Sequence, residues 1–181
     1  MKVLGIDLSL TCTGLAIADQ GRVLGTATIK STGTRGDTLA QREHRIFEIV
    51  SAVKGAIARE QPYMAVIEAP SFGSRHGSAH DRSGLWWAVV HALFDRNVFI
   101  AQVTPKQRAK YGTGNGNSEK KEVHAAVKKN YAREDLPIKT NDEADAVLLA
   151  AMGARHMHEA VDIFTVGPDQ LAAMEKVVWP L

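Results

Sequence analysis

Cysteine is almost absent from this sequence: Cys12 is the single one among 181 residues, so no disulfide can form within the chain. Its scarcity excludes the small secreted scaffolds that disulfides hold together and favours a reducing compartment. Long apolar runs are missing too, since no stretch reaches the roughly 18 residues that a membrane-spanning helix needs. The opening MKVLGIDLS lacks the apolar run and cleavage site of a signal peptide. We therefore expect a soluble, cytoplasmic protein with no membrane contact.

The chain also lacks a marked excess of charge of either sign. The chain has 22 Lys and Arg residues against 20 Asp and Glu residues, a formal net charge of +2. Such a balance does not by itself indicate a nucleic-acid partner. The length suits one domain with a sizeable core. The function therefore has to be sought in local patterns.

Apolar patterns predict the elements of an α/β fold. Five segments have the β-branched, apolar character of buried strands: KVLGID, TGLAIAD, RVLGTATI, YMAVIEAP and NVFIAQVT. The first three are predicted to form a meander. Helical periodicity or apolar runs of helical length predict helices over Thr38 to about Arg59, LWWAVVHALF, SEKKEVHAAVKKNY opened by Ser118, and TNDEADAVLLAAMGARHM. The segment PKQRAK is predicted to be a basic turn or a short helix. The sequence predicts a mixed five-stranded sheet flanked by α-helices.

The remaining segments are predicted loops and a tail. SFGSRHGSAHDRSG, residues 71–84, and the Gly- and Asn-rich segment TGNGN have no apolar period. Long loops in compact domains are usually functional. Residues 1–158 form the expected domain. Residues 159–181 form a tail that packs on it, with a short strand at DIFTV and a short helix after it.

Four carboxylates stand at the ends of these elements. Asp7 ends the first strand and Glu68 ends the fourth. Asp142 and Asp145 share one face at the start of the last long helix, because three residues are close to one helical turn. Converging acids repel one another unless a cation neutralises them. Oxygen ligands suit Mg²⁺ or Mn²⁺, and two such ions would activate a water and stabilise the leaving oxygen of a phosphodiester.

Helix capping is a simpler interpretation of the last pair. Thr140, with Glu143 three residues later, has the T-x-x-E pattern of a capping box. Acids in a first turn also complement the helix dipole. A single strand-end acid, in turn, is ordinarily a solvent-facing residue. Asp145 lies one turn further in, beside apolar neighbours, and the four acids taken together favour a metal site.

Four segments resemble the motifs of RuvC-type Holliday junction resolvases, in that family's order and spacing, over roughly residues 1–158. They are GIDLSLTCTGLAI, AVIEAP, GTGNGNSEKKEV and DEADAVLLAA. The short length and the ending MEKVVWP look like a phage-type branch. The resemblance implies an RNase H-like fold, a homodimer, and Mg²⁺-dependent nicking of two strands of a four-way DNA junction, in the host cytoplasm if the chain is phage-encoded.

The resemblance also implies roles for single residues at the matching positions. The implied metal ligands are Asp7, Glu68, Asp142 and Asp145. Lys120 would contact the scissile phosphate or stabilise its developing charge. The register of a second family lysine falls on Ala109, so the role is assigned to the neighbouring Lys110, with Lys106 nearby. Phe72, one residue later than the family's wedge aromatic, would open the junction.

Positive charge is concentrated in one part of the chain. Residues 105–140 carry nine basic and four acidic side chains and surround the Gly- and Asn-rich segment. A basic surface beside an acidic metal centre suits the phosphate backbone of DNA. The candidate DNA contacts are Phe72, Arg75, Arg82, Lys106, Arg108, Lys110, Lys120 and Lys121. A solvated helix face is the alternative, particularly for Lys128 and Lys129.

The helix LWWAVVHALF is apolar on more than one face. One face can cover the sheet, and the other needs a helix of the same chain or a second protomer. A homodimer has a functional logic, because two symmetric nicks in a four-way junction require two symmetric sites.

Other functions stay open. GIDLSLTCTG also resembles the phosphate loop of actin-like ATPases and sugar kinases, but their second nucleotide-binding half does not fit into 181 residues. A non-catalytic junction-binding module would use the basic segment without needing four acids. A nuclease acting mainly on flaps, forks or other branched DNA would use the same metal site, with substrate choice in the two loops. No small-molecule cofactor is expected.

Overall fold

A computed structural model of the chain describes residues 1–70 and 79–180. Its strands are β1 (Val3–Asp7), β2 (Cys12–Asp19), β3 (Arg22–Lys30), β4 (Met64–Glu68) and β5 (Phe99–Val103). Its helices are α1 (Leu39–Glu60), α2 (Ala79–Phe94), α3 (Pro105–Thr113), α4 (Lys120–Tyr131), α5 (Asn141–His156) and α6 (Pro168–Leu171). The predicted α/β class, with a mixed five-stranded sheet flanked by helices, is confirmed for the described residues.

The strand order β3-β2-β1-β4-β5 brings the ends of two strands together. The strands β1, β2 and β3 form an antiparallel meander, and Gln20 and Gly21 make its two-residue turn with φ values of 49° and 73°. β4 pairs in parallel with β1, and Ile6 stands opposite Ile67. Because parallel neighbours end at the same edge of a sheet, Asp7 and Glu68 leave β1 and β4 side by side.

Alternation along these two strands decides which face Asp7 and Glu68 occupy. Ile6 and Ile67, the residues just before them, belong to the core between the sheet and the helices α1 and α2. Successive side chains of a strand point to opposite faces. Asp7 and Glu68 therefore lie on the other face, whose core contains buried residues of α3, α4 and α5.

Two glycines let α5 approach the sheet closely. A Cβ atom at Gly5 would lie 2.1 Å from the carbonyl oxygen of Ala146, and one at Gly14 would lie 2.0 Å from that of Asp142. A larger residue at either position would collide with the backbone of α5, so glycine sets the distance. The helix is buried throughout Glu143–Ala154. Its first turns are thereby placed against the strands that carry the site.

Two predicted boundaries are wrong. α2 begins at Ala79, so residues 79–84 are helical rather than part of a loop. These first turns are polar and mostly exposed and therefore show no apolar period, although Asp81 forms an ion pair with Arg42 of α1. The N-cap of α4 is Glu119 and not Ser118, because the Ser118 hydroxyl lies 3.0 Å from the Thr113 hydroxyl instead of capping the helix.

The tail contains α6 but not the predicted strand at residues 162–166. Asp162 is drawn into the domain instead: its buried carboxylate accepts hydrogen bonds from the hydroxyls of Tyr111 and Tyr131, and Arg155 donates to it at 2.6 Å. Apolar side chains of the tail, Val161 and Val177 among them, join the core beneath α5. No helix in the described ranges is long and apolar enough to cross a membrane.

Candidate metal centre

The four carboxylates picked out by their positions meet at one edge of the sheet. We call Asp7, Glu68, Asp142 and Asp145 the acid cluster. Burial raises the pKa of Asp7 to about 8, and the negative charges of Glu68, Asp145 and Asp142 add to this rise. Each of the three therefore lies within electrostatic reach of Asp7, although 61 to 138 residues separate them in the chain.

Among the described residues, Arg108 of α3 contacts this cluster with a basic side chain. Its Nε donates to the carboxylate of Glu68 and its Nη1 to that of Asp145. The residue is only 7% exposed. Arg108 is therefore buried against the acid cluster rather than exposed on a basic surface, and its expected contact with DNA stays a prediction. In the sequence Arg108 lies between Lys106 and Lys110 and is interpreted with them as a DNA contact. Four converging acids need a cation, and that need is the signal that points to a buried basic partner.

The start of α3 explains why Arg108 points inward. Thr104 and Gln107 form a capping box, and Pro105 occupies the first turn. The backbone N–H of Arg108 bonds to the carbonyl of Thr104 at 3.0 Å. Helical geometry then carries Arg108 and Ala109, both buried, toward the sheet while Lys106 stays exposed.

The capping interpretation of the last helix is settled by Thr140 and Glu143. The Thr140 hydroxyl accepts the N–H of Glu143 at 3.1 Å, and the Glu143 carboxylate accepts the N–H groups of Lys139 and Thr140 at 2.7 and 2.9 Å. The predicted capping box is thus real, but neither Asp142 nor Asp145 is one of its two partners. Capping accounts for Glu143 and leaves those two acids to be explained.

Burial also raises the pKa of Asp145, to about 6, although Arg108 and Lys120 oppose the rise. The residue is 4% exposed. A buried acid whose charged form is destabilised gains from any additional cation. The chemistry of the acid cluster, all carboxylate oxygens and short of positive charge, fits a hard divalent ion such as Mg²⁺.

Within the described residues, no three His, Cys, Asp or Glu side chains are placed so that together they could hold a metal ion. The geometry is that of the cluster with the Arg108 guanidinium bound to both Glu68 and Asp145. The donors match a metal site, but the side chains would have to rearrange around an ion.

Cys12 lies beside Asp142 at the start of β2. Burial and the hydrogen bond to Asp142 raise the pKa of its thiol to about 11. The thiol is therefore protonated at neutral pH and acts as a hydrogen-bond donor to the carboxylate, which does not suit a nucleophile.

The predicted lysines take different positions. Lys120 is exposed at the start of α4, and its charge lowers the pKa of Asp145 against the larger effect of burial. Lys110 is half-buried and lies 3.8 Å from Asp169. Lys121 is exposed and pairs with Glu119 at 3.1 Å. Lys120 therefore acts on the acid cluster through Asp145.

Two of the predicted DNA contacts, Phe72 and Arg75, lie outside the described residues. Arg82 lies on α2 rather than in a loop and lines a cavity of about 80 Å³ together with Leu8, Glu68 and Trp86. The Trp86 indole N–H donates to the backbone carbonyl of Glu68 at 2.9 Å. The helix α2 therefore supports the end of β4, a role that sequence reasoning did not identify.

The chain is similar in sequence to a family of DNA junction nucleases. The family model described as crossover junction endodeoxyribonuclease RuvC matches residues 3–153. A relative of that description from Salinibacter ruber is 27% identical over 170 residues, which cover 91% of this chain and 92% of the relative. Another, from Janthinobacterium sp., is 29% identical over 173 residues, covering 95% and 93%.

A solved structure has the same fold. Thermus thermophilus RuvC in complex with its Holliday junction substrate aligns with a TM-score of 0.69 at 24% identity, over 90% of this chain and 99% of that chain. The likeness confirms the RNase H-like arrangement of a mixed sheet with flanking helices.

Proposed function

The chain belongs to the RuvC family of crossover junction endodeoxyribonucleases, and we propose that it resolves four-way DNA junctions by paired, symmetric, metal-dependent nicks. The observation that carries this proposal is the convergence of the acid cluster at one edge of the sheet. A binding module would have no use for four mutually repelling carboxylates, one of them almost fully buried. A metal-dependent nuclease needs them.

Asp7, Glu68, Asp142 and Asp145 would hold the metal, two Mg²⁺ ions in our proposal, with Mn²⁺ able to replace them. When bound, such ions activate a water and stabilise the leaving oxygen of a phosphodiester. The protein's own contribution is to fix the ligands on rigid elements, two at strand ends and two on a buried helix.

Lys120 supplies a positive charge at the same edge. In our proposal it faces the scissile phosphate and stabilises the negative charge that develops there. Its effect on Asp145 supports this placement. Lys106 and Lys121, both exposed, are proposed to contact the DNA backbone, with Lys110, Arg82, Phe72 and Arg75 as further candidates.

A homodimer is the proposed assembly, and α2 its proposed contact surface. Trp87 and Phe94 lie seven residues apart, on one face of α2, and are 65% and 71% exposed. Large exposed aromatic side chains on a helix are typical of an interaction surface. A two-fold dimer would present two metal centres to the symmetric strands of a junction.

The proposed site of action is the cytoplasm. The phage-type origin suggested by the sequence stays a prediction, since the two relatives are bacterial.

Cleavage of a synthetic four-way junction tests the proposal. We would compare the junction with linear duplex and flap substrates, in Mg²⁺, Mn²⁺ or EDTA. Asp145→Asn is the test variant, and Asp135→Asn, at a 71% exposed acid outside the acid cluster, is its matched control. We expect symmetric, metal-dependent nicks from the wild type and the control, and a loss of at least about 100-fold in Asp145→Asn while junction binding is retained.

Each of the other outcomes would change a different part of the proposal. Cleavage of flaps or forks in preference to junctions would keep the metal centre and change the substrate. Full activity of Asp145→Asn would remove that residue from the centre. Junction binding without cleavage in either metal would replace the nuclease by a non-catalytic binding module.

A further inference from the structure

We propose that Arg108 is a built-in counter-ion of the acid cluster, which holds Glu68 and Asp145 in place in the metal-free protein and is displaced from them when divalent ions bind. The inference rests on the proposed metal centre and concerns how that centre is loaded. Arg108 is a positioning residue in this scheme, not a catalytic one.

Contacts across the fold support this role. Arg108 comes from α3, Glu68 from the end of β4 and Asp145 from the second turn of α5, 40 and 37 residues away in the chain. A guanidinium offers several N–H donors in a planar fork, so one side chain can bind two carboxylates in a fixed geometry. A lysine ammonium has no such fork, so it does not fix two carboxylates in one geometry.

The charges of Arg108 and Asp145 need each other because both residues are buried. Arg108 and Asp145 are 7% and 4% exposed, so water cannot screen or solvate either charge fully. A buried charge is tolerated only when it is paired and hydrogen-bonded. In the metal-free protein, the two ion pairs of Arg108 therefore offset part of the repulsion within the acid cluster.

Competition with a metal follows from the same geometry. Glu68 and Asp145 are both proposed metal ligands, and both carboxylates are engaged by one guanidinium. A divalent ion held by the same two side chains would compete with that guanidinium for their oxygen atoms, and like charges repel strongly in a poorly solvated site. Coupling of this kind is reciprocal: bound metal weakens the ion pairs of Arg108, and Arg108 weakens metal binding.

Calorimetric titration with Mn²⁺, in the absence of DNA, measures the competition directly. The test variant is Arg108→Met, which keeps an unbranched, flexible side chain but removes the charge and the N–H donors. The matched control is Arg42→Met, since Arg42 also donates twice to one aspartate, Asp81, in an ion pair that involves no member of the acid cluster. We expect Mn²⁺ to bind Arg108→Met roughly 5- to 150-fold more tightly than wild type, and Arg42→Met to bind like wild type.

Thermal unfolding supplies a second measurement. In EDTA, Arg108→Met should melt at a lower temperature than wild type, because the acid cluster has lost its counter-ion. Mn²⁺ should then raise the melting temperature of Arg108→Met by more than it raises that of wild type. If Arg108→Met does not fold without metal, Arg108→Lys, which keeps one charge but not the two-carboxylate bridge, should bind Mn²⁺ with intermediate affinity.

Failure of this inference differs from failure of the proposed function. Equal or weaker Mn²⁺ binding by both Arg108 variants, with clear binding by wild type, would overturn the counter-ion role and leave the metal centre standing. Absence of Mn²⁺ binding in wild type and in all variants would overturn both.

Discussion

The carboxylate of Glu143 accepts the backbone N–H of Thr140 at 2.9 Å and so closes the capping box at the start of α5. It also accepts the N–H of Lys139, and the Thr26 hydroxyl donates to it at 3.3 Å. One acid of the segment TNDEAD is therefore structural. The neighbouring Asp142 and Asp145 belong to the acid cluster, and this division of roles has different consequences for stability and for activity.

Replacement of Glu143 should affect stability rather than metal binding. Glu143→Ala leaves the backbone N–H groups of Lys139 and Thr140 without their acceptor, so we expect a loss of about 1–2 kcal/mol in the free energy of unfolding. Asp142→Asn should show the reverse: little loss of stability and a large loss of nicking. Denaturant unfolding and junction cleavage of both variants measure the contrast. Equal losses of stability would show that capping is shared between the two acids.

Gly14 should not tolerate a side chain. A Cβ atom there would lie 2.0 Å from the backbone oxygen of Asp142, so Gly14→Ala must push α5 away from β2. We expect it to cost about 1–3 kcal/mol of stability and to weaken metal binding. Gly25→Ala on β3 is the matched control, because no atom lies within 4 Å of its added Cβ. A Gly14→Ala protein as stable as this control would contradict the close approach of α5.

Asp162→Asn should destabilise the attachment of the tail. The side chain of Asp162 is fully buried and accepts hydrogen bonds from two tyrosines and from Arg155, and Arg155 would lose its charge partner. We expect a loss of about 3 kcal/mol, measured by denaturant unfolding. Asp135→Asn removes a comparable pair, Arg133–Asp135 at 3.0 Å, from an exposed site and should cost less than about 1 kcal/mol. Similar losses in the two variants would count against the buried network.

Cys12 should react slowly with alkylating reagents. Its pKa of about 11 lies roughly two units above that of a free thiol, so at pH 8 its thiolate fraction is about 100-fold smaller. The chain has one cysteine, so the rate of iodoacetamide labelling reports on this site alone. Asp142→Asn should speed the reaction, because the carboxylate no longer raises the thiol pKa. Labelling of the folded wild type at the rate of the urea-unfolded chain would contradict the contact.

The metal-free protein should lose stability as the pH rises. Asp7 has a pKa of about 8 in the folded state and about 4 in the unfolded chain. Between these values the folded protein retains a proton that the unfolded chain has released, so the contribution of Asp7 is present at low pH and is lost as the pH rises through about 8. The melting temperature in EDTA should therefore fall more steeply between pH 6 and 8.5 for wild type than for Asp7→Asn. Parallel pH profiles would show that Asp7 is not perturbed.

Local patterns in the sequence determined a large part of the structure. The strands and long helices, the capping box at Thr140 and the four acids at element ends all depend on spacing within a few residues, which alternation and helical periodicity express directly. The RuvC-type motifs have the same local character. Errors occurred where the local signal was weak, as in the polar first turns of α2 and in the tail.

Only the tertiary structure decided how these parts meet. The placement of Asp7 and Glu68 on the α5 face depends on which helices cover each side of the sheet, and Gly14 permits the approach of α5 from across the fold. The partners of Arg108 lie 40 and 37 residues away. A helical periodicity cannot distinguish a solvated arginine from one that packs against distant acids, because burial and charge pairing arise from contacts between elements rather than within them.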